Sequence, residues 1–196
     1  MHSRKVLHYI LFYKPYGVLS QFSQEAGHPA LKEFGPFPAT VYPVGRLDVD
    51  SEGLLLLTDD NLLKHRLSDP RFAHKRTYLV QVEGIPTEDS IQRLRVGIII
   101  EGKKTRPADL ELLHEDPRLA PRSVPIRHRE SIPTSWLKIT LREGRNRQVR
   151  KMTAAVGYPT LRLVRIAIGD LGLAGLLPGA WRSLSQAETS ALIAWK

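Results

Sequence analysis

Four consecutive leucines, Leu54-Leu55-Leu56-Leu57, come directly after a dense polar stretch, Gly45-Arg46-Leu47-Asp48-Val49-Asp50-Ser51-Glu52-Gly53. Nothing in the leucine run alternates, so it reads as a short strand buried on both faces. The polar residues before it then sit at the mouth of that strand, on a rigid scaffold. Asp48 lies between Leu47 and Val49, where its carboxylate meets apolar surroundings. A carboxylate there is costly unless it is paired, so an Arg or Lys elsewhere must supply the pair. On these residues alone the competing reading is a polar turn that caps a buried strand, because most charged turns are solvated loops.

The charge balance narrows the partners. The chain has 196 residues, with 29 Lys+Arg against 20 Asp+Glu, a net +9 and a pI near 10.0. That excess points to a polyanion, nucleic acid before membrane. No apolar run approaches the roughly 18 residues of a membrane span. The start, Met1-His2-Ser3-Arg4-Lys5, has the charge of a signal n-region. His8 and Lys14 interrupt the apolar stretch behind it, however, and a first strand is the better reading. With no cysteine, thiol nucleophiles, disulfides and sulfur-built zinc sites are excluded. The absence of cysteine is compatible with the cytoplasm.

Periodicity and caps outline the rest. Strands are expected over 6–13, 54–57, 75–82, 136–142, 161–168 and 180–184, with a strand or extended loop at 18–22 and a helical turn at 30–34. Helices are expected at 62–67, after the cap-type residues Asp59-Asp60-Asn61, and after Thr87, which caps a helix closed by Gly97. A third helix at 148–156 takes Asn146 as cap and Gly157 as stop. Ser185-Gln186-Ala187-Glu188 is a capping box for a last helix. Residues 98–100, 102–104 and 108–113 suggest a hairpin with a loop. Residues 115–133 carry four prolines with Arg118, Arg122, Arg127 and Arg129 between them, a long basic loop that is either functional or a linker. Strands outnumber helices without strict alternation, which predicts an α+β fold with a mixed, mostly antiparallel sheet.

A second cluster, Arg142-Glu143-Gly144-Arg145-Asn146-Arg147-Gln148-Val149-Arg150-Lys151, puts five cations at a strand–helix junction. A helix N-terminus adds unpaired N–H groups, so the junction suits phosphate or carboxylate, while a solvated basic face is the plain alternative. Asp48, Asp50 and Glu52 alternate and could also form a carboxylate set for Mg²⁺. The seven histidines show no i, i+4 pair, so no zinc site is expected. There is no glycine-rich phosphate loop and no Gly-x-Ser-x-Gly elbow.

Gly45-Arg46-Leu47-Asp48 with Ser51-Glu52-Gly53-Leu54-Leu55-Leu56-Leu57-Thr58 resembles the catalytic motif of the pseudouridine synthases, and more narrowly their RsuA-type ribosomal RNA branch. Lys14-Pro15-Tyr16-Gly17, Arg76-Thr77-Tyr78 and the run 143–152 resemble that branch's other motifs in the same order. The resemblance implies a pseudouridine synthase catalytic fold, two lobes around a basic cleft. It also implies that Asp48 is the catalytic aspartate, that Tyr78 packs against the target base, and that Arg150 pairs with the aspartate. Leu47 and Ile166 would line the pocket. Members of the branch usually carry a small S4-type RNA-binding domain in front. Here the likeness begins almost at Met1, so a single catalytic domain over 1–196 is expected, its two sub-lobes sharing one sheet, without that N-terminal domain. The likeness to the large-subunit members implies 23S rRNA or a large-subunit assembly intermediate as partner, a domain V uridine as target, and a cytoplasmic, monomeric protein.

The chemistry agrees with these residues. Pseudouridine formation breaks the uracil–ribose bond, turns the base and rejoins it through carbon. It is an isomerisation and requires no cofactor and no metal. It needs an ionised carboxylate, either to attack or to abstract a sugar proton, and Arg150 would offset the desolvation that raises the pKa of Asp48. A uridine must leave its stack to reach a buried carboxylate, and Tyr78 would replace the lost stacking. Arg46, Arg145, Arg147 and Lys151 would grip the flanking phosphates. Two rivals use the same residues differently: a non-catalytic RNA-binding or ribosome-assembly factor that leaves Asp48 idle, and a metal-dependent nuclease using Asp48, Asp50 and Glu52.

Overall fold

The computed structural model describes residues 6–126, 129–173 and 175–195, and the chain divides into two compact units. The first runs to Phe72 and resumes at Leu173; the second is Ala73–Gly172. Met1 to Lys5 and Arg127, singled out in the sequence, lie outside the described residues.

The first unit holds β1 (Tyr9–Lys14), β2 (Tyr42–Pro43), β3 (Glu52–Thr58), α1 (Asn61–Ser68), β11 (Trp181–Ser183) and α4 (Gln186–Ala194). β1 lies between β11 and β3, and β2 pairs with the end of β3, all antiparallel. The leucine run is the middle of β3, and every residue of that strand is buried. Leu55 and Leu57 join Ile10, Phe12, Leu31 and Val41 in a core closed by Phe22, Phe34, Phe37 and Trp181. Leu54 and Leu56, equally buried, point to the opposite face, as the two-residue period requires. Burying each leucine contributes about 2 kcal/mol. Residues 18–22 do not form a strand. They loop instead, with the Leu19 amide on the Pro29 carbonyl and the Leu31 amide on the Gln21 carbonyl. The expected helical turn is a 3-10 turn, Leu31–Phe34.

Caps fix the helix starts. The Asp60 carboxylate accepts from the Leu63 amide at 3.0 Å. Ser185 and Glu188 form the expected reciprocal box, and Arg182 forks onto Glu188 at 2.8 and 2.7 Å. That fork, with the Ser185 amide, holds the Glu188 carboxyl down to about 2. Asp59, the residue before the α1 cap, is almost wholly buried. Burial pushes its pKa up, but the His8 amide and ring, at 2.8 and 3.1 Å, and the Thr40 hydroxyl, at 2.9 Å, outweigh this and hold it well below the usual carboxylate range. A depressed folded-state pKa adds stability above the unfolded value near 4, which is lost as pH falls through it. Asp59→Asn is therefore expected to lower stability by about 2 kcal/mol at pH 7. It should also flatten the decline below pH 4, measured by urea unfolding at a series of pH values. An unchanged acid limb would contradict this.

The second unit contains β4 (Arg76–Glu83), α2 (Glu88–Val96), β5 (Ile99–Ile100), β6 (Lys103–Lys104), β7 (Asp109–Leu113), β8 (Thr134–Leu141), α3 (Gln148–Ala155), β9 (Thr160–Ile168) and β10 (Leu171–Gly172). β4 is central, between β9 and β8, and β7 lies outside β8. β5 and β6 form a separate hairpin. All these pairings are antiparallel, giving a mixed α+β protein whose sheet is mostly antiparallel. Val80, Val82, Leu137, Ile139, Leu163, Val149 and Met152 form the core, covered by Ile91 and Leu94 of α2.

Side chains and main chain of the second unit hold the 115–133 loop, the Gly84 amide donating to the Pro133 carbonyl at 2.7 Å. Arg162, buried in β9, donates to the Ala120 carbonyl at 2.8 Å, and Arg129 forks onto Glu83 at 2.9 and 2.7 Å. The start of α3 differs from expectation. Arg147, in the left-handed conformation, is the cap residue in place of Asn146, and it makes no side-chain cap bond. The Gln148 side chain takes the capping role: its Oε1 accepts from the Arg145 amide at 3.0 Å, while its Nε2 donates to Glu143 at 2.7 Å.

Candidate active site

Asp48 opens a β-turn into β3, its carbonyl accepting from the Ser51 amide at 3.0 Å. Asp48 is half-buried, and its two chain neighbours are pinned. The Ser20 hydroxyl donates to the Leu47 carbonyl at 2.8 Å and accepts from the Leu47 amide at 3.0 Å. The Gly17 amide donates to the Val49 carbonyl at 2.8 Å. Gly17 has φ +82°, which a side chain would strain. The turn carrying Gly17 is tied to Lys14, a fully buried ammonium that donates to the carbonyls of Val18, at 2.7 Å, and Pro15, at 3.0 Å. The Lys-Pro-Tyr-Gly run and Ser20 thus hold the aspartate segment from both sides. Gly17→Ala is expected to cost about 1 kcal/mol through φ strain alone, checked by thermal denaturation. An unchanged melting temperature would contradict the strain.

Leu47 is buried beneath the turn, and Arg46 is exposed. Asp50 is half-buried beside Asp48, but Glu52 is inside β3 with 2% of its surface exposed and is not a loop acid. Among the described residues no three of His, Asp and Glu converge as a metal set.

The second unit carries the other candidates. Tyr78, on β4, packs against the core of that unit, with Arg165 of β9 directly across from it. The register breaks here. Thr77 faces Ala167 and Tyr78 faces Arg165, so Ile166 is the extra residue of a β-bulge. Arg165 is 3% exposed, and as the register partner of Tyr78 it shares that residue's face of the sheet. Burial lowers the arginine's pKa, and the attraction and hydrogen bond of Tyr78 partly restore it. Arg165 is a candidate that the motifs do not mark, because it lies in a strand that is otherwise largely apolar. Two arginines inside that strand, 162 and 165, are the signal that could find it, since buried charges are rare without a task.

Arg150, half-buried on α3, donates to the Thr160 carbonyl at 3.3 Å. Arg147 is exposed one turn earlier. Arg145 and Lys151 are already engaged. Arg145 pairs with Glu143 at 3.3 Å and donates to the carbonyls of Lys103 and Lys104, and Lys151 bonds Glu101 at 2.6 Å. The predicted residues therefore fall into two groups: Arg46, Leu47 and Asp48 in the first unit, and Tyr78, Arg145, Arg147, Arg150, Lys151 and Ile166 in the second.

Residues 8–155 match the family model described as RNA pseudouridylate synthase. The chain is 55% identical over 175 residues to ribosomal large subunit pseudouridine synthase E of Xanthomonas campestris pv. campestris, covering 88% of this chain and 93% of that protein. It is 49% identical over 176 residues to the protein of the same name from Vibrio vulnificus, covering 90% and 74%. A solved structure described as pseudouridylate synthase superposes with a TM-score of 0.78 at 30% identity, over 96% of this chain and 75% of that one. The aspartate turn, the tyrosine strand and the basic helix all sit on a fold held in common with these proteins, and the chain belongs to the RNA pseudouridylate synthase family, enzymes that isomerise uridine in RNA.

Proposed function

We propose that the chain isomerises one uridine of large-subunit (23S) ribosomal RNA, as naked RNA or in an assembly intermediate, acting as a cytoplasmic monomer. The observation that carries the site assignment is the double clamp on the Asp48 segment. A half-buried aspartate whose neighbours are fixed by Ser20 and Gly17 is pre-organised for one geometry. The relatives' printed names support the substrate class.

In this reading Asp48 is the reacting carboxylate, and Arg150 is the cation that keeps it ionised. Tyr78 stacks on the flipped uracil, with its hydroxyl held by Arg165, and Leu47 and Ile166 give the pocket apolar walls. Arg46 and Arg147 contact phosphate, which positions the RNA without reading its sequence. The N1–C1′ bond breaks and a C5–C1′ bond forms; the C5 proton leaves to solvent and N1 takes up a proton. Nothing is oxidised, reduced or hydrolysed, so the residues alone balance the step.

Release of the C5 hydrogen supplies the assay. Large-subunit rRNA transcribed with [5-³H]uridine should lose tritium to water on incubation with the protein, in EDTA and with the RNA chain intact. RNA cleavage abolished by EDTA would instead support the nuclease reading, and tight binding without tritium release would support a non-catalytic factor.

A further inference from the structure

We propose that the β5–β6 hairpin is an RNA-docking element, with Lys103 and Lys104 contacting backbone phosphates. The proposal rests on the reading that the substrate is RNA, and it changes what Arg145 and Lys151 do. Both lysines are exposed, and neither ammonium has a partner among the described residues. They are consecutive in a strand, so the hairpin carries one positive charge on each face.

A pair of surface lysines is ordinarily only solvated, but this pair stands on a backbone held from several directions. Glu101 and Gly102 both have positive φ, +50° and +75°, the pattern of a tight two-residue hairpin turn. At the base, the Thr105 amide donates to the Ile98 carbonyl at 2.8 Å and its hydroxyl accepts from the Ile98 amide at 3.0 Å. Gly97 abuts this closure so tightly that a Cβ would lie 2.4 Å from the Thr105 carbonyl oxygen. From the approach to α3, the Arg145 fork takes both lysine carbonyls, at 3.2 and 2.6 Å. From α3 itself, Lys151 holds Glu101 at the hairpin tip.

The charges divide accordingly. Arg145 is balanced by Glu143 and Lys151 by Glu101, so of these four cations it is Lys103 and Lys104 that keep their charge for an anion. Arg145 then acts on RNA through the hairpin, as a brace on the element that touches phosphate.

The test is RNA affinity across a salt series, with full-length large-subunit rRNA transcript as probe. The Lys103→Ala/Lys104→Ala variant should bind about tenfold more weakly at low salt and lower the slope of log K against log salt by about 1.5, the loss of two phosphate contacts. Arg145→Lys keeps the charge but loses the fork. It should weaken binding about threefold or more, and this loss should vanish in the double-lysine background. A wild-type slope in the lysine variant, or an Arg145→Lys effect that adds to it, would overturn the proposal. Loss of tritium release by the wild-type protein would sink the functional reading alone, because the binding measurements do not depend on it.

Discussion

Asp48→Asn is expected to abolish uridine isomerisation, lowering the rate about a thousandfold or more, while RNA affinity stays within about threefold. The substitution keeps the side chain's shape and removes its charge. The clamps on its neighbours use main-chain atoms of Leu47 and Val49, so Ser20 and Gly17 hold the variant's turn as before. Phosphate contacts supply most of the affinity for RNA, and Asp48 offers none. A thousandfold loss corresponds to about 4 kcal/mol of transition-state stabilisation, the scale of a group that takes part in bond making. Single-turnover tritium release and filter binding separate the two effects. A parallel loss of affinity would assign the residue to folding or docking.

The second large effect is expected at Arg165. Arg165→Met keeps much of the volume and removes the guanidinium that stands opposite Tyr78. The tyrosine ring still packs on the core, but its tip loses its anchor at the Ile166 bulge. The rate should fall about a hundredfold, with a larger effect on kcat than on KM, because a misplaced ring is felt most once the base has been flipped. Tyr78→Phe removes the hydroxyl from the other side of this pair, so the double variant should be little worse than Arg165→Met alone. Arg165→Lys should restore part of the rate. Equal effects on kcat and KM, or full additivity, would place Arg165 outside the tyrosine's support.

Features held by local forces are legible in the sequence, and features held between distant segments are not. The leucine run announces a doubly buried strand because four apolar residues in a row leave no solvent face. The Ser185–Glu188 box and the Thr87 cap are readable because both ends of each interaction lie within one helical turn. The start of α3 departs from the expected Asn146 cap for the opposite reason. Gln148 bonds both Glu143 and the Arg145 amide, and the cap position falls to Arg147, whose side chain makes no cap bond. Charge is visible in sequence but its partners are not. Arg145 and Lys151 read as free grips for phosphate, yet one holds the β5–β6 hairpin and the other its tip. Glu52 reads as one of the polar residues at the mouth of the leucine strand and is buried inside that strand. Arg165 stays hidden because the bulge that sets it against Tyr78 is a register effect between strands more than eighty residues apart.

The proposed role of Asp48 is to convert a uridine of large-subunit rRNA to pseudouridine. Its most direct test is to map pseudouridine across rRNA from cells lacking the protein and from cells supplied with wild type or Asp48→Asn. One large-subunit site should lose pseudouridine in the deletion strain, regain it with wild type and stay unmodified with Asp48→Asn. Full modification at every site in the deletion strain, or restoration by Asp48→Asn, would contradict it.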